Sequence, residues 1–462
     1  MEMKVLPSAV EAEESLLGTI MVYPSSARTA IEAGLTEEDF YSDVNRRIFK
    51  QIFDMFQSGI DIDLTSVTTR LRDTQELDRV GGTEYLARLS KAAVTSANTK
   101  SYVTLIQDKA LMRRMIETCE EVIEKGYEGQ PNVTEFLDEA ESNILKISRD
   151  RRTKELEPSP VVFKKVSDKI ALMEEKKSNI TGIKSGFRDF DYKTHGLQRG
   201  DLLILAARPS MGKSALALNF ALQVAQHNRD GGAIAIFSLE MPTEALGFRL
   251  LSAKSRINGN KLQTGRLSQD EKNNMNEALV DLSKMKFYMD DQSNITVNEI
   301  FSKCRRIKNE HETKDKPGLD LIIIDYIQLI SPGAHSKNGT REQEVSEISR
   351  NLKALARELD VPVLALSQLS RGVESRDDKR PRLSDLRESG AIEQDADIVM
   401  LMYRDSYYNA QAKEDATRNN IESIEINIAK HRHGETGPFT LAFEPTTNAF
   451  INYATERQGE GQ

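Results

Sequence analysis

Residues 207–214 read ARPSMGKS, a glycine, a lysine and a hydroxyl residue in the order that phosphate-binding loops use. The apolar run LLILAA precedes them and the helical pattern ALALNFALQVAQH follows. Backbone N–H groups from Ser210, Met211 and Gly212, together with the positive end of such a helix, can enclose two phosphates. Lys213 then meets the β and γ oxygens of a nucleoside triphosphate such as ATP, and the Ser214 hydroxyl suits Mg²⁺. The usual pattern, G-x-x-x-x-G-K-[ST], begins with glycine, whereas this chain has Ala207. Alanine is the smallest alternative, and only backbone conformation is constrained there.

Three further residues belong to the same chemistry. LDLIIIDYIQL reads as a buried strand ending in Asp325, a carboxylate suited to holding Mg²⁺ through water. AIAIFSLEM delivers Glu240 to a strand end, where it can orient and deprotonate an attacking water. VPVLALSQLS delivers Gln368, an amide that can feel the γ-phosphate and relay its loss to the mixed-charge segment after it, which carries Gly372 and Gly390. The carboxyl ends of strands in an open parallel sheet converge on one crevice, so these groups are expected to face one nucleotide. NIAKHRHGETG adds Lys430 and Arg432, two residues apart on a strand and therefore on one face. They either complete the same site or reach a neighbouring subunit's site as an arginine finger. His431 and His433 also share a face, but no third ligand accompanies them, and no metal site is expected there.

The elements that position these groups alternate strand and helix from about residue 182 onward, which predicts an α/β domain on a mostly parallel sheet. Strands are expected over 202–207, 233–239, 319–324, 361–367 and 398–403, followed by two strand-like runs, IESIEINIAKHRHG and PFTLAFEPTTNAFINY. Residues 9–149 instead carry apolar positions at three- and four-residue spacing, with charges assigned to solvent faces. They read as an all-helical domain ending in a long helical pair. The expected boundaries are 1–150 for this domain, 151–180 for a linker, and 181–462 for the nucleotide domain. Within the linker, 159–179 predicts one amphipathic helix with Val162, Val166, Ile170 and Met173 on a face that needs a partner.

The 462-residue chain is long enough for two or three domains, and its formal net charge of -9 excludes coating of DNA by bulk charge. A local nucleic-acid site built from backbone amides and a few arginines remains compatible with it. No apolar stretch approaches the ~20 residues that span a bilayer, and the amino terminus lacks a signal-peptide layout, so a cytoplasmic protein with no membrane partner is expected. Cys119 and Cys304 stand far apart without CxxC or His neighbours, which predicts two reduced thiols.

Taken in order, the blocks GIKSGFRDFDYKTHGLQRGDLLILAARPSMGKSALALNFA, FSLEM, LIIIDYIQLI, SQLSRGVESRDDKRPRLSDLRESGAIEQDADIVMLMYR and AKHRHGETG resemble the core of the replicative DNA helicases of the DnaB type. LPSAVEAEESLLG and the helical first third resemble their amino-terminal domain, so the resemblance covers nearly the whole chain. It implies a RecA-like ATPase domain preceded by a linker helix and an all-helical domain, assembled as a homohexamer around single-stranded DNA. It further implies 5′-to-3′ unwinding, a collar that engages primase, and a loader that places the ring on DNA. Lys213 and Ser214 match the Walker A pair, Glu240 the catalytic glutamate, Asp325 the Walker B aspartate and Gln368 the γ-phosphate sensor. Arg249 matches an arginine that packs on the nucleotide base, and Lys430 and Arg432 match the pair that reaches the neighbour's nucleotide. Arg387, Glu388 and Gly390 match the loop that holds the DNA backbone, largely through main-chain amides.

Two other readings share parts of this pattern. A RecA-like DNA-dependent ATPase or recombinase without unwinding would share the nucleotide site, but would not account for the helical first third, the linker helix and RESGAIEQDAD together. A nucleotide-dependent adaptor that docks primase would share the collar but would not need Glu240 and Gln368.

Overall fold

The computed structural model describes residues 6–93, 95–129, 158–176, 179–228, 231–313, 316–332, 340–386, 390–409 and 420–453, with positions 133, 136, 137, 139, 140, 143 and 144. The chain divides into two compact units, Met1–Lys165 and Val166–Gln462.

The first unit is helical. Its helices are α1 (Val10–Val22), α2 (Ser25–Glu32), α3 (Asp43–Gln57), α4 (Leu64–Asp73), α5 (Gly82–Ala92) and α6 (Thr99–Tyr127). On α3 the buried residues Ile48, Phe49, Ile52 and Met55 recur at helical spacing, and the Ser42 hydroxyl caps the first turn by accepting from Asn45 N–H. Asp63 and Ser66 form a reciprocal capping box at the start of α4. α1 packs closely on α5 because position 18 is glycine: a Cβ there would lie 1.9 Å from the Leu89 carbonyl oxygen.

Among the described residues three charges lie inside this unit, Glu13, Asp39 and Arg113, contrary to the expectation that its charges all face solvent. Glu13 is 1% exposed and accepts hydrogen bonds from Tyr41 N–H at 2.7 Å, Ser42 N–H at 3.3 Å and Asn45 Nδ2 at 3.0 Å. Its carboxylate therefore satisfies orphan donors at the start of α3, where negative charge is favoured. Arg113 donates to the carbonyls of Pro7 and Asp39, tying α6 to the chain before α1 and before α3. The second member of the expected helical pair lies mostly outside the described residues.

The linker helix α7 runs from Ser159 to Lys176. Its apolar residues Val162, Phe163, Val166 and Ile170 are all exposed.

The described residues of the second unit form a nine-stranded sheet. Its strands are β1 (Leu202–Ala207), β2 (Ala233–Ser238), β3 (Phe287–Asp290), β4 (Leu319–Asp325), β5 (Val363–Gln368), β6 (Ile398–Arg404), β7 (Glu422–His431), β8 (Gly437–Glu444) and β9 (Ala449–Asn452). Their order across the sheet is β3-β2-β4-β5-β1-β6-β7-β8-β9. The first six are mutually parallel, and β7, β8 and β9 continue antiparallel. The mostly parallel α/β architecture is as expected, with two differences. The short edge strand β3 is only half-buried and so lacks the solid apolar run that marks the inner strands. The last expected run divides into β8 and β9 at a turn over residues 445–448.

Alternation along β1 separates two cores. Leu203, Leu205 and Ala207 face α9 (Lys213–His227), whereas Leu202, Ile204 and Ala206 face α13 (Val297–His311) and α14 (Arg341–Leu359). Helices α8 (Arg188–Thr194), α10 (Thr243–Ser255), α11 (Gly259–Thr264), α12 (Gln269–Lys284), α15 (Gly390–Asp395) and α16 (Asp405–Tyr408) complete the unit. Because β1, β2, β4 and β5 run the same way, their carboxyl ends align: Ala207 pairs with Gln368 and Ser238 with Asp325. Among the described residues no helix is long and apolar enough to cross a membrane.

Candidate nucleotide site

The loop between β1 and α9 turns on two left-handed residues, Ser210 at φ 66° and Gly212 at φ 98°, and Gly212 is the cap residue of α9. Ala207 is the last residue of β1, in register with Gln368, and it is not among the residues of positive φ. The first place of the loop is therefore strand backbone, which alanine adopts freely, while the left-handed turns fall later. The loop is held from outside by Arg208, whose guanidinium donates to the Leu369 carbonyl at 2.9 Å and to Glu374 at 2.9 and 2.7 Å. Arg404 donates to the Ser210 carbonyl at 3.4 Å.

Above the loop opens a cleft of about 460 Å³ lined by Ser210, Gly212, Lys213, Ser214, Glu240, Arg249 and Gln368, among others. Glu240 is exposed at the turn after β2, and Gln368 is the one exposed residue of β5, where burial ends. Lys213 lies with Nζ 3.9 Å from Asp325 Oδ1 and 4.8 Å from the centre of the Tyr326 ring. Burial pushes its ammonium below the ordinary value, against the pull of Asp325 and Glu240. Asp325 is 4% exposed, and its Oδ1 has no hydrogen-bond partner. A buried carboxylate oxygen left without a donor, together with the hydroxyl of Ser214, which lines the cleft, is a donor set that a hard cation fits.

Arg249, on α10, is likewise pushed down by burial against the same two carboxylates, Asp325 and Glu240. The cleft is also lined by Arg404, Phe443, Pro445 and Asn448, which sequence reasoning did not find. Arg404 lies 5.6 Å from the centre of the Phe443 ring and donates to Glu422 at 2.6 Å. No local motif marks these residues, because β6, β8 and the turn after β8 reach the cleft only through the sheet order.

Lys430 and Arg432 do not join this cleft. Leu203 pairs with Ile398, and Ile398 pairs with His431 across the antiparallel step, so the pair sits at the amino-terminal ends of the parallel strands. The phosphate loop lies about four residues further along β1, or roughly 13 Å at strand rise. Of the two readings open to the pair, completion of its own chain's site is thus excluded. Lys430 Nζ donates to the carbonyls of Glu393 and Gln394, and Arg432 donates to Gln394 as well. Both acceptors end helix α15, which Gly390 begins; Gly390 is exposed, and Arg387 and Glu388 lie outside the described residues.

A larger hollow of about 630 Å³, lined by Lys184, Arg188, Tyr192 and His227 among others, holds none of the predicted residues. The smaller cleft is identified by its chemistry rather than its size.

Residues 182–452 match the family model described as DnaB-like helicase C terminal domain, and residues 5–108 match that described as DnaB-like helicase N terminal domain. The chain is similar to the replicative DNA helicase DnaB of Geobacillus stearothermophilus, 42% identical over 449 residues, which cover 97% of this chain and 95% of the relative. It is also similar to the replicative DNA helicase DnaC of Bacillus subtilis, 44% identical over 446 residues, 96% of this chain and 95% of the relative. Among solved structures, a DnaB-like replicative helicase studied with its interactions with primase superposes with a TM-score of 0.73 at 33% identity, covering 96% of this chain and 100% of that one. A second solved structure, an ATPase domain, superposes with a TM-score of 0.58 at 39% identity, over 63% of this chain and 99% of that one.

Proposed function

This chain belongs to the DnaB family of replicative DNA helicases, and we infer from that premise that it hydrolyses ATP to move 5′ to 3′ along single-stranded DNA and separate the duplex at a replication fork. The observation that carries the reading is the meeting of Lys213, Ser214, Glu240 and Gln368 in one cleft, with Asp325 beside Lys213. Lys213 and the first-turn N–H groups of α9 hold the β and γ phosphates. Glu240 orients a water and takes its proton as the water oxygen bonds to the γ-phosphorus and the bond to the bridging oxygen breaks. The Gln368 amide follows the γ-phosphate and passes its loss to the segment beyond β5. Asp325 and Ser214 are the residues that would hold Mg²⁺, which when bound neutralises charge on the phosphate oxygens. Arg249, which lines the same cleft, packs on the nucleotide base, with Phe443 and Pro445 as further apolar surface in that cleft.

The position of Lys430 and Arg432 supports action in trans: they complete the nucleotide site of the next subunit in a homohexamer. Arg387, Glu388 and Gly390 hold single-stranded DNA by its backbone, which reconciles DNA binding with an acidic chain and makes it independent of sequence. Residues 1–150 form the collar that docks primase, residues 151–180 the linker and residues 181–462 the motor. A loader places the ring on DNA in the cytoplasm. DNA-stimulated ATP turnover that disappears in Glu240→Ala tests this reading. A primase-docking adaptor would show no such turnover.

A further inference from the structure

Resting on the trans role of Arg432, we propose that Asp397 is the positioning residue for this finger, fixing the guanidinium from below so that it meets the neighbouring subunit's phosphate in one orientation. Asp397 is 2% exposed and sits between α15 and β6. One carboxylate oxygen, Oδ1, lies 3.3 Å from Arg432 Nη1. The other, Oδ2, accepts from Leu202 N–H at 2.8 Å and from Lys353 Nζ on α14. The backbone joins in, since Arg432 N–H donates to the Asp397 carbonyl at 2.9 Å.

Each contact removes a freedom that a finger must not have. A carboxylate locked by a strand N–H and a partly buried ammonium cannot swing, so an arginine bonded to it inherits a fixed direction. A guanidinium has five N–H donors. Asp397 and the Gln394 carbonyl occupy two nitrogens, Nη1 and Nη2, and donors remain for an oxyanion without breaking either bond. The Arg432 side chain keeps 35% of its surface exposed, so the group that is fixed is also presented. Leu202, which holds Asp397, begins β1, and Ala207 at the other end of that strand begins the phosphate loop. The finger's support and the chain's own phosphate cradle are therefore two ends of one buried strand.

Full-length rings carrying Asp397→Asn test the assignment, because asparagine keeps an acceptor for Leu202 N–H but loses the charge. Turnover should fall roughly ten- to a hundredfold, as for a misplaced catalytic group, while binding of a fluorescent ATP analogue at the intact cleft is unchanged. The decisive readout is mixing with Lys213→Ala subunits. A finger defect lies on the donor side, so the Asp397→Asn subunit's own intact loop receives a well-held Arg432 from its Lys213→Ala neighbour and turnover recovers. Mixing Arg432→Ala with Lys213→Ala under the same exchange is the reference. If the reference recovers and the Asp397→Asn mixture does not, Asp397 serves its own subunit and the proposal is overturned. If the reference itself restores nothing, with exchange confirmed, the trans role of Arg432 fails first and the proposal with it. Wild-type or raised turnover in Asp397→Asn rings would also overturn it. Asp397→Glu, which displaces the charge by one methylene, should give a smaller loss with the same recovery. If neither variant forms rings, Asp397 belongs to the fold and the proposal fails.

Discussion

Lys213 Nζ stands 3.9 Å from Asp325 Oδ1, an oxygen that is buried and accepts no hydrogen bond. A carboxylate held in that condition is costly to the fold and is explained by what it does when nucleotide is bound. Asp325→Asn should leave thermal stability of the nucleotide-free protein within about 1 kcal/mol of the parent, since relief of the buried, undonated carboxylate offsets the attraction that the Lys213 ammonium loses. Turnover should fall by about a hundredfold or more. Melting curves and steady-state ATPase rates on one preparation check both halves.

The phosphate loop makes a paired prediction about backbone. Ala207→Gly should gain no nucleotide affinity and should cost roughly 1 kcal/mol, because position 207 ends strand β1 in extended backbone and its methyl packs in the core. Gly212→Ala should cost more than about 1 kcal/mol and weaken nucleotide binding, because φ there is 98°. Titration calorimetry with a nonhydrolysable ATP analogue distinguishes the two positions.

Asp201 gives a pH prediction. Its carboxyl is pushed up to about 6, by burial first and by the charge of Asp397 second, from an ordinary 3.8. The folded state thus binds the proton more tightly than the unfolded state, so stability falls as pH rises from 3.8 to about 6, and above 6 the whole cost is present. Asp201→Asn should raise stability by about 1–3 kcal/mol at pH 8 and by less at pH 5. Chemical denaturation at the two pH values measures this, and an equal gain at both would contradict the assignment.

Removing residues 1–150 should leave most ATPase activity, because the second unit has its own sheet and two cores. Primase docking should weaken sharply. Pull-down of primase by the truncated protein at full-length strength would refute that division of labour.

The nucleotide side of the site was legible in the sequence because its elements are local. A buried strand, a glycine turn and a helix announce the loop, and apolar strands ending in Asp325 and Gln368 announce the crevice. The destination of Lys430 and Arg432 was not legible, since it depends on β7 running antiparallel to β6, and strand direction leaves no mark on side-chain alternation. The wall at Arg404 and Phe443 depends on sheet order in the same way. Glu13 and Arg113 look like ordinary surface charges until the chain segments they join are brought together. The short strand Phe287–Asp290 is half-buried at the sheet edge and, at four residues, too short to stand out.

The most direct test of the central claim is strand displacement on forked DNA carrying a 5′ single-stranded tail. The wild-type protein with ATP and Mg²⁺ should release the partner strand, and Glu240→Ala should release none while still binding nucleotide. ATP hydrolysis stimulated by single-stranded DNA, with the fork left intact, would contradict the helicase account and leave a DNA-dependent ATPase in its place.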